Sequence, residues 1–350
     1  MPHRTPEAGA HDAPRTLVVH HRSGIGDLVW HVPYIRAIAA TSRDGRVTVM
    51  ARPSCRAADL LAGEASVDEV IEYDYRPRAS ESRRGRDAGL RGFLRTAARL
   101  RARRFDRVYI FSSRARYAWL AWLAGIRRRA GFGFSWAQRL GLNEGPYTKP
   151  HRGGGSWVYP EATEFARAHG FVDAPVVPRI DPPASLRARL ARELAHLPEP
   201  RIALVIGTSE PRKDWGAANF TALARALCER GFGVLVLGGP AEAEAARRIA
   251  ADSAGGAAVA AVCRDSVLES AAALAGCTLC VGNDTGALNL AAAVGARCLG
   301  FFGGTRPLRH DPRIEAIEAP SMQAIAPEDV LHAIDANGVP TAFEEGRASA

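Results

Sequence analysis

The residues best suited to chemistry lie in three short loops, at 22–27, 207–215 and 282–289. Each loop follows an apolar run typical of a buried strand and precedes a segment with helical periodicity. Ligands of parallel α/β sheets bind at the carboxyl ends of the strands. We therefore expect the chemistry of this chain to take place at these three loops.

The first loop combines two glycines with an acid. Gly24 and Gly26 allow a tight turn and a close approach of the backbone to a ligand. Asp27 then opens a helix, either as a general base facing a cleft or as a simple helix N-cap. A dinucleotide site is disfavoured, because Val29 stands at the last glycine position of that fingerprint and the second strand closes on residues 51–52 without an acid.

The second loop presents two hydroxyls and an ammonium group just before a helix. Thr208, Ser209 and Lys213, together with backbone N–H groups, are what a diphosphate needs. Lys213 and Lys149 are the two lysines of the chain, so the position of a lysine here is informative. The alternative interpretation is a solvated turn.

The third loop groups polar residues at the start of an Ala-rich helix. Asp284, Thr285 and Gly286 stand where the free N–H groups of a helix N-terminus can bind an anion. A plain Asp or Thr cap is the alternative. It would explain one of these polar residues but not the whole set.

Strand-like and helix-like segments alternate in two runs, which predicts an α/β protein with two doubly wound, Rossmann-like domains facing across a cleft. The 350 residues and 47% hydrophobic content suffice for two cores. The prolines around 175–183 read as a linker. We predict a disordered tail at 1–15, a first Rossmann-like domain at 16–172, a linker at 173–184, a second Rossmann-like domain at 185–337 and a tail at 338–350.

The positive charge is concentrated in one window of the sequence. Residues 76–116 contain 14 arginines and three acids, while the whole chain has a net charge of +9. This suits a phosphorylated or lipid-surface acceptor, although a coding bias towards arginine is the alternative. Nucleic acid is not expected, since no helix-turn-helix or interleaved aromatic signature is present. Trp119 and Trp122 predict a buried helix rather than an interfacial anchor.

The cysteines and histidines indicate no cofactor. Cys277 and Cys280 form a lone C-x-x-C pair in a strand-like segment, which favours structural thiols in a reducing compartment. The histidines have no metal-ligand spacing, so we expect neither a metal nor another cofactor. The first 15 residues lack an apolar signal-peptide core, and no apolar run approaches 18 residues. A cytoplasmic location is expected.

In their order and spacing, the three loops resemble glycosyltransferase family 9, the ADP-heptose:lipopolysaccharide heptosyltransferases, over about residues 16–336. Residues 26–33 match the pattern Gly-Asp-(x)5-Pro, and residues 207–215 match Gly-x-Ser-(x)3-Lys-x-Trp. The third loop matches Asn-Asp-Thr-Gly-(x)2-His-Leu-Ala with two departures. Asn289 stands at the usual His, and Ala287 replaces a common Pro.

The resemblance implies a GT-B fold and an inverting, metal-independent sugar transfer, with Asp27 as the general base on the acceptor hydroxyl. It implies that the donor is held by a set of polar residues in the second domain, namely Thr208, Ser209, Lys213, Glu242, Asp284, Thr285 and Gly286. The partners would be a nucleotide-sugar donor and an anionic glycan or glycolipid acceptor. Peripheral contact with the cytoplasmic face of the inner membrane is a further hypothesis.

Two alternatives stay open. Asn289 motivates a family 9-like enzyme that uses another nucleotide sugar for an O-antigen, a capsule or another glycan. A nucleotide-sugar-binding protein without transfer activity is the alternative of another class. The presence of Asp27 argues against it.

Overall fold

A computed structural model of the chain describes residues 13–78, 81–208, 210–253 and 258–338. The chain divides into two compact units, one up to Val177 and one from Pro178 onwards. This boundary falls within the segment 173–184 that the prolines mark as a linker. Of the predicted tail at 1–15, residues 13–15 are held in place, since Arg15 N–H donates to Asp106 at 2.7 Å and Arg43 N–H to the Pro14 carbonyl at 3.0 Å.

The first unit is a five-stranded parallel sheet in the order β3-β2-β1-β4-β5 with helices on its faces. The apolar strands β1, β2 and β4 are buried along their whole length. The strands are β1 Thr16–His20, β2 Val47–Ala51, β3 Val67–Glu72, β4 Arg107–Phe111 and β5 Arg128–Gly131. The helices are α1 Ile25–Ala39, α2 Ala57–Leu60, α3 Gly89–Ala102, α4 Ala115–Leu123, α5 Trp136–Arg139 and α6 Val158–Ala168.

The second unit is a six-stranded parallel sheet in the order β11-β10-β9-β6-β7-β8. The edge strand β11 was not predicted, because its sequence alternates apolar residues with glutamates and is only partly buried. The strands are β6 Arg201–Val205, β7 Gly233–Gly238, β8 Val259–Cys263, β9 Leu279–Asn283, β10 Arg297–Gly303 and β11 Ile314–Ala319. The helices are α7 Ala184–Glu193, α8 Ala217–Glu229, α9 Ala243–Asp252, α10 Val267–Leu274, α11 Gly286–Ala293 and α12 Pro327–Ala336.

Each sheet has one point where the strand order reverses, between β1 and β4 in the first unit and between β6 and β9 in the second. Crevices for ligands open at the carboxyl ends of the strands at such points. The loop after β1 contains Asp27, and the loops after β6 and β9 contain Lys213 and Asp284. The predicted loops therefore lie at the two places where this architecture binds ligands.

The structure neutralises part of the positive charge of the arginine-rich window, residues 76–116. Several of its arginines form ion pairs with acids, among them three acids of β3 and its end that precede the window. Asp74 is buried and pairs with Arg83 at 2.6 Å. The other pairs are Arg86 with Glu72 at 2.7 Å, Arg95 with Asp87 at 3.0 Å, and Arg103 with Glu69.

The helix α4 is only half buried, so the prediction of a buried helix is partly wrong. Tyr117 and Leu120 pack into the core, but Trp122 is 54% exposed. Within the described ranges, no helix combines the length and apolar character needed to cross a membrane.

Candidate active site

The loops after β6 and β9 bring Lys213 and Asp284 into direct contact. The Lys213 ammonium lies 2.7 Å from Oδ2 of Asp284 and 3.6 Å from Oε1 of Glu210. Both partners of the closer pair are partly accessible, with side-chain exposures of 18% for Lys213 and 24% for Asp284. The two residues were predicted on separate loops, and the adjacency of β6 and β9 makes them one site.

A buried asparagine fastens these two loops together. Asn283 is fully buried, donates through Nδ2 to the Ile206 carbonyl at 2.8 Å and accepts from the Trp215 N–H at 3.2 Å. The indole N–H of Trp215 in turn donates to the Ile325 carbonyl at 2.8 Å. Because the Asn283 side chain and both N–H groups of Trp215 are hydrogen-bonded inside the core, the lysine loop is held firmly against the end of β9.

Thr208 and Thr285 take different local roles. The Thr208 hydroxyl accepts from the Glu210 N–H at 3.2 Å, which shapes the turn that leads to Lys213. Thr285 is the N-cap of α11, but its side chain makes no capping bond, and its buried Oγ1 has no partner among the described residues. Ser209 lies outside the described residues.

The N-terminus of α11 begins at Gly286, directly beside the Lys213–Asp284 pair. First-turn N–H groups of a helix favour anions. Asn289 is buried at the end of this first turn, and its Nδ2 donates to the Thr285 carbonyl at 3.0 Å. The residue that departs from the family pattern is therefore part of the helix start that faces the candidate donor site.

Glu242 is fixed at the end of β7. Its carboxylate accepts the Gly239 N–H at 2.8 Å. It also lies beside Gly207, because a Cβ on that glycine would come within 3.4 Å of the Glu242 carboxyl carbon. The Glu242 side chain thus closes the short turn before α9 and at the same time borders the loop that leads to Lys213.

The loop after β10 contributes a residue that the sequence analysis missed. Burial lowers the pKa of the His310 imidazole, while the Leu308 carbonyl and the carboxylates of Asp311 and Asp284 act in the opposite direction. The signal available was a histidine between Arg309 and Asp311 after a buried strand. The order of the sheet, which the sequence did not reveal, was needed to place it beside β9.

In the first unit, Asp27 lies in the first turn of α1 rather than at its N-cap. The helix begins at Ile25 and its N-cap is Gly24, so the N-cap interpretation of Asp27 is wrong. The side chain is partly exposed, and the positive end of the helix favours its ionised form. The loop itself is clamped by Arg78, which donates to the carbonyls of Ser23 at 2.7 Å and Ser54 at 3.0 Å.

Gly24 is required for room and not for an unusual backbone angle. Its φ of −87° suits any residue. A Cβ at this position would, however, lie 3.0 Å from Oδ2 of Asp27. The glycine therefore gives the Asp27 carboxylate its place above the start of the helix. Gly26 is buried within the first turn.

We expect Gly24→Ala to lower the transfer rate by about tenfold, because the methyl group displaces the Asp27 carboxylate by a few tenths of an ångström or more. The melting temperature should stay the same or fall by a few degrees, since Ala fits the backbone angle but is a poorer N-cap than Gly. Steady-state rates and thermal melts on one preparation check both. A normal rate would mean that Gly24 does not position Asp27.

Next to this loop, a cavity of about 370 Å³ opens at the ends of β1 and β4. Its lining includes the neutral His21, the cations Arg22 and Arg114, the acid Glu161 and the ring of Trp157. The Arg22 guanidinium stacks 5.0 Å from the Trp157 ring. The cavity thus offers two cations and an aromatic wall, which suits an anionic, ring-shaped ligand.

His21 has a defined tautomer in this cavity. Its Nδ1 lies 2.9 Å from the Phe111 carbonyl, which can only accept, so Nδ1 carries the proton and Nε2 keeps its lone pair. Burial, together with the nearby charges of Arg22 and Arg114, lowers the pKa of His21 to about 4. Behind it, the buried His20 and His31 share a hydrogen bond of 2.8 Å between their Nδ1 atoms, and burial lowers the pKa of His31 to about 3.

These histidines predict a loss of stability in mild acid. Each is neutral in the folded state, whereas an unfolded histidine binds a proton below about pH 6.5. Stability is therefore full above that pH and falls as the pH drops towards about 4, by ~1.4 kcal/mol per pH unit for each histidine. His21→Gln should remove the contribution of one proton to the pH dependence, so the slope of the unfolding free energy against pH should fall by ~1.4 kcal/mol per pH unit. The exposed His196, changed to Gln, is the control, and an unchanged slope for His21→Gln would contradict the assignment.

The structure thus assembles two groups of predicted residues within separate units. Thr208, Lys213, Asp284, Thr285 and Gly286 meet around the ends of β6 and β9, with Glu242 at the neighbouring β7. In the first unit, Arg22, in the same loop as Asp27, lines a cavity with His21 and Arg114, which the sequence analysis did not single out. Their signal was the sequence His20-His21-Arg22 directly after a buried strand. Within the described ranges, no three His, Cys, Asp or Glu side chains are grouped as metal ligands.

Comparison with known proteins identifies the family. The model of glycosyltransferase family 9 (heptosyltransferase) matches residues 93–328, a range that includes the lysine and aspartate loops but not Asp27. Lipopolysaccharide heptosyltransferase 1 of Pseudomonas aeruginosa is 40% identical over 109 residues, which are 31% of this chain and 30% of that relative. The sequence match thus spans less than a third of the curated relative.

Solved structures establish the fold. The E. coli ADP-heptose lipopolysaccharide heptosyltransferase II is 20% identical with a TM-score of 0.72, over 92% of this chain and 98% of the other. An E. coli heptosyltransferase bound to ADP-2-deoxy-2-fluoro heptose is 21% identical with a TM-score of 0.69, over 92% and 99%. The GT-B prediction of two Rossmann-like domains is confirmed by these folds. The family match covers more than half of the chain, which therefore belongs to glycosyltransferase family 9, the heptosyltransferases.

Proposed function

We propose that this chain transfers a heptose from ADP-heptose to a lipopolysaccharide core or related anionic glycan acceptor, with inversion at the sugar and without a metal. Family membership supports glycosyl transfer. The relatives described above, which are lipopolysaccharide heptosyltransferases, support the donor and the acceptor. The observation that carries the proposal is the contact of Lys213 with Asp284 at the start of α11.

The donor diphosphate is assigned to the second unit. The diphosphate would accept hydrogen bonds from the Lys213 ammonium and from the free N–H groups at the start of α11. The hydroxyls of Thr208, Ser209 and Thr285 would be further donors. The buried and unpartnered Thr285 Oγ1 supports this, because buried polar atoms normally have a partner. Asp284 would be released from Lys213 and become available to a hydroxyl of the sugar. Glu242, beside Gly207, is assigned to the ribose.

The acceptor is assigned to the first unit. The cavity lined by Arg22 and Arg114 supports an anionic acceptor, since guanidinium groups bind carboxylates and phosphates in two-pronged geometry. Trp157 offers an apolar face on which a sugar ring can stack. Asp27 lies in the adjoining loop, at the positive end of α1.

The chemistry follows from these assignments. The acceptor oxygen forms a bond to the anomeric carbon as the bond from that carbon to the diphosphate oxygen breaks, and the acceptor proton passes to Asp27. The leaving diphosphate gains negative charge, which Lys213 and the start of α11 stabilise. With that charge met by fixed protein groups, the proposal needs no metal ion.

Another nucleotide sugar is the second candidate, because Asn289 replaces the family histidine at the first turn of α11. A thermal-shift panel of ADP, UDP, GDP, CDP and NAD, each with EDTA, separates the two. A ligand at about 100 times its dissociation constant stabilises by ~2.7 kcal/mol. We expect ADP to give the largest shift without metal. A larger shift with UDP, GDP or CDP would change the donor, and a larger shift with NAD would contradict sugar transfer.

A further inference from the structure

Most of the large apolar side chains that the described structure exposes are gathered on three neighbouring helices of the first unit. Leu90 is 72% exposed and Leu94 48% on α3, and Trp122 is 54% exposed on α4. Trp136 is 75% exposed on α5, and Leu140, just after it, is 61% exposed. Leu90 and Leu94, like Trp136 and Leu140, are four residues apart and share a helix face. We name these five residues the α3–α5 surface.

The side chains of the α3–α5 surface are not needed for the hydrophobic core of the first unit. The inner faces of α3 and α4 already pack against the sheet, through Leu100 and Leu120 among others. The helices are also tied to one another, because Arg101 donates to the Leu123 carbonyl at 3.0 Å and the Trp119 indole donates to the Ala137 carbonyl at 3.1 Å. The exposed leucines and tryptophans therefore stand on the outward side of a fixed layer.

The charged residues of α3, α4 and α5 are all arginines. The sequences of α3, α4 and α5 contain no Asp or Glu. Arg91 on α3 and Arg127 after α4 are exposed, and no ion pair joins either of them to another described residue. Arg83 and Arg86, by contrast, are occupied by acids. Arg91 and Arg127 therefore supply free positive charge beside the apolar side chains, and Arg76 and Arg84, in the loop before α3, are also exposed and form no ion pair with another described residue.

We propose that the α3–α5 surface docks this protein onto a lipid bilayer that carries anionic headgroups. The tryptophans and leucines would enter the boundary between headgroups and acyl chains, and the arginines would meet the lipid phosphates. Water-soluble monomers rarely expose contiguous apolar patches without a partner. A second copy of the chain is disfavoured as the partner, since pairing this face with itself would bring arginines together. The inference stands apart from the sugar chemistry, because no residue of the donor or acceptor sites is used.

The apolar part of the proposal is tested by sedimentation with vesicles of phosphatidylcholine and phosphatidylglycerol. The triple variant Leu94→Ser, Trp122→Ser, Trp136→Ser should bind more than about tenfold more weakly than the parent chain. Tyr147→Ser is the matched control, because it removes an exposed aromatic side chain that lies outside the α3–α5 surface and outside both candidate sites. It should bind like the parent. Equal binding of the triple variant and the parent would overturn the proposal.

The charged part is tested with Arg91→Ser, Arg127→Ser. Loss of these two cations should weaken binding roughly 10- to 30-fold at low salt and flatten the salt dependence. The control with the same change in net charge is Arg247→Ser, Arg248→Ser on α9, which should bind like the parent. Equal losses in both variants would reduce the effect to net charge and overturn a specific surface.

One measurement needs no variant to stay folded. Vesicles that contain brominated lipid should quench the tryptophan fluorescence of the intact parent chain, and Trp122→Phe, Trp136→Phe should remove most of that quenching. Absence of quenching in the parent would overturn the proposal. Sedimentation velocity tests the other possible partner, a second copy of the chain. If the parent forms a dimer, the triple variant is a monomer and neither binds vesicles, the surface belongs to a dimer interface and the proposal is overturned.

Discussion

Asp27→Asn is expected to lower the rate of sugar transfer by ~10²–10⁴-fold, the usual contribution of a general base. Asn keeps the size of the side chain but cannot take the acceptor proton. Nucleotide affinity should not change, since the donor residues belong to the other unit. Stability should fall by no more than ~1 kcal/mol, because the lost charge interacts with the positive end of α1. Turnover, ADP affinity and melting temperature are measured on the same protein.

The matched control is Asp329→Asn. Asp329 also lies in the first turn of a helix, α12, and is not part of either site. Both variants lose a carboxylate at the positive end of a helix, so their effects on stability should be similar in size. Only Asp27→Asn should lose activity. Near-normal turnover in Asp27→Asn would remove the general base from this account and direct attention to the Nε2 lone pair of His21.

Lys213→Ala is expected to weaken ADP binding by about 10- to 100-fold. A hydrogen bond between an ammonium and a phosphate contributes roughly 1.5–3 kcal/mol. The structure adds a second cause, because the variant leaves the Asp284 carboxylate without the ammonium that now lies 2.7 Å away. An unbalanced carboxylate repels the incoming diphosphate. Calorimetric titration of ADP into the parent and the variant measures the effect.

Asp284→Asn separates these two causes. If repulsion contributes, the double variant Lys213→Ala, Asp284→Asn should bind ADP more tightly than Lys213→Ala alone. Lys149→Ala, the other lysine of the chain, is the control and should bind ADP like the parent. Parent-like ADP binding by Lys213→Ala would contradict the assignment of the donor diphosphate to this loop.

The sequence predicted the two parallel sheets because their central strands are continuous apolar runs buried on both faces. The sequence did not predict the edge strand β11, in which Ile-Glu-Ala occurs twice and no continuous apolar run is present. It also placed the start of α1 too late. The true N-cap is Gly24, whose missing side chain gives no capping signal of the kind that Ser or Asp provides.

The candidate donor site was predictable for a similar reason. Loops at the ends of strands carry the ligand-binding groups, so the motifs with Lys213 and Asp284 could be found one by one. Their direct pairing depends on β6 and β9 being neighbours, although they are separated by the whole β7–β8 segment. The same limit hid the cavity between β1 and β4, where His21 meets the Phe111 carbonyl across 90 residues of sequence.

The arginine-rich window shows how sequence counts mislead about charge. Residues 76–116 sum to a large positive charge, but the acids that neutralise part of it lie on β3 and at its end, just outside the window. Once Arg83 and Arg86 are paired, the free arginines include Arg91 beside the exposed leucines of α3, as well as Arg76 and Arg84 in the loop before that helix. The exposed apolar side chains of α3–α5, more than the number of arginines in the window, therefore single out a surface for contact with a membrane.

The most direct test of the central claim is product formation from ADP-heptose and a lipopolysaccharide-core acceptor in the presence of EDTA, followed by mass spectrometry. The account predicts an acceptor heavier by one heptose, stoichiometric release of ADP, an inverted anomeric linkage by NMR, and loss of product with Asp27→Asn. Product from another nucleotide sugar but not from ADP-heptose would contradict the donor assignment. Tight ADP binding without product from any donor would contradict transfer itself.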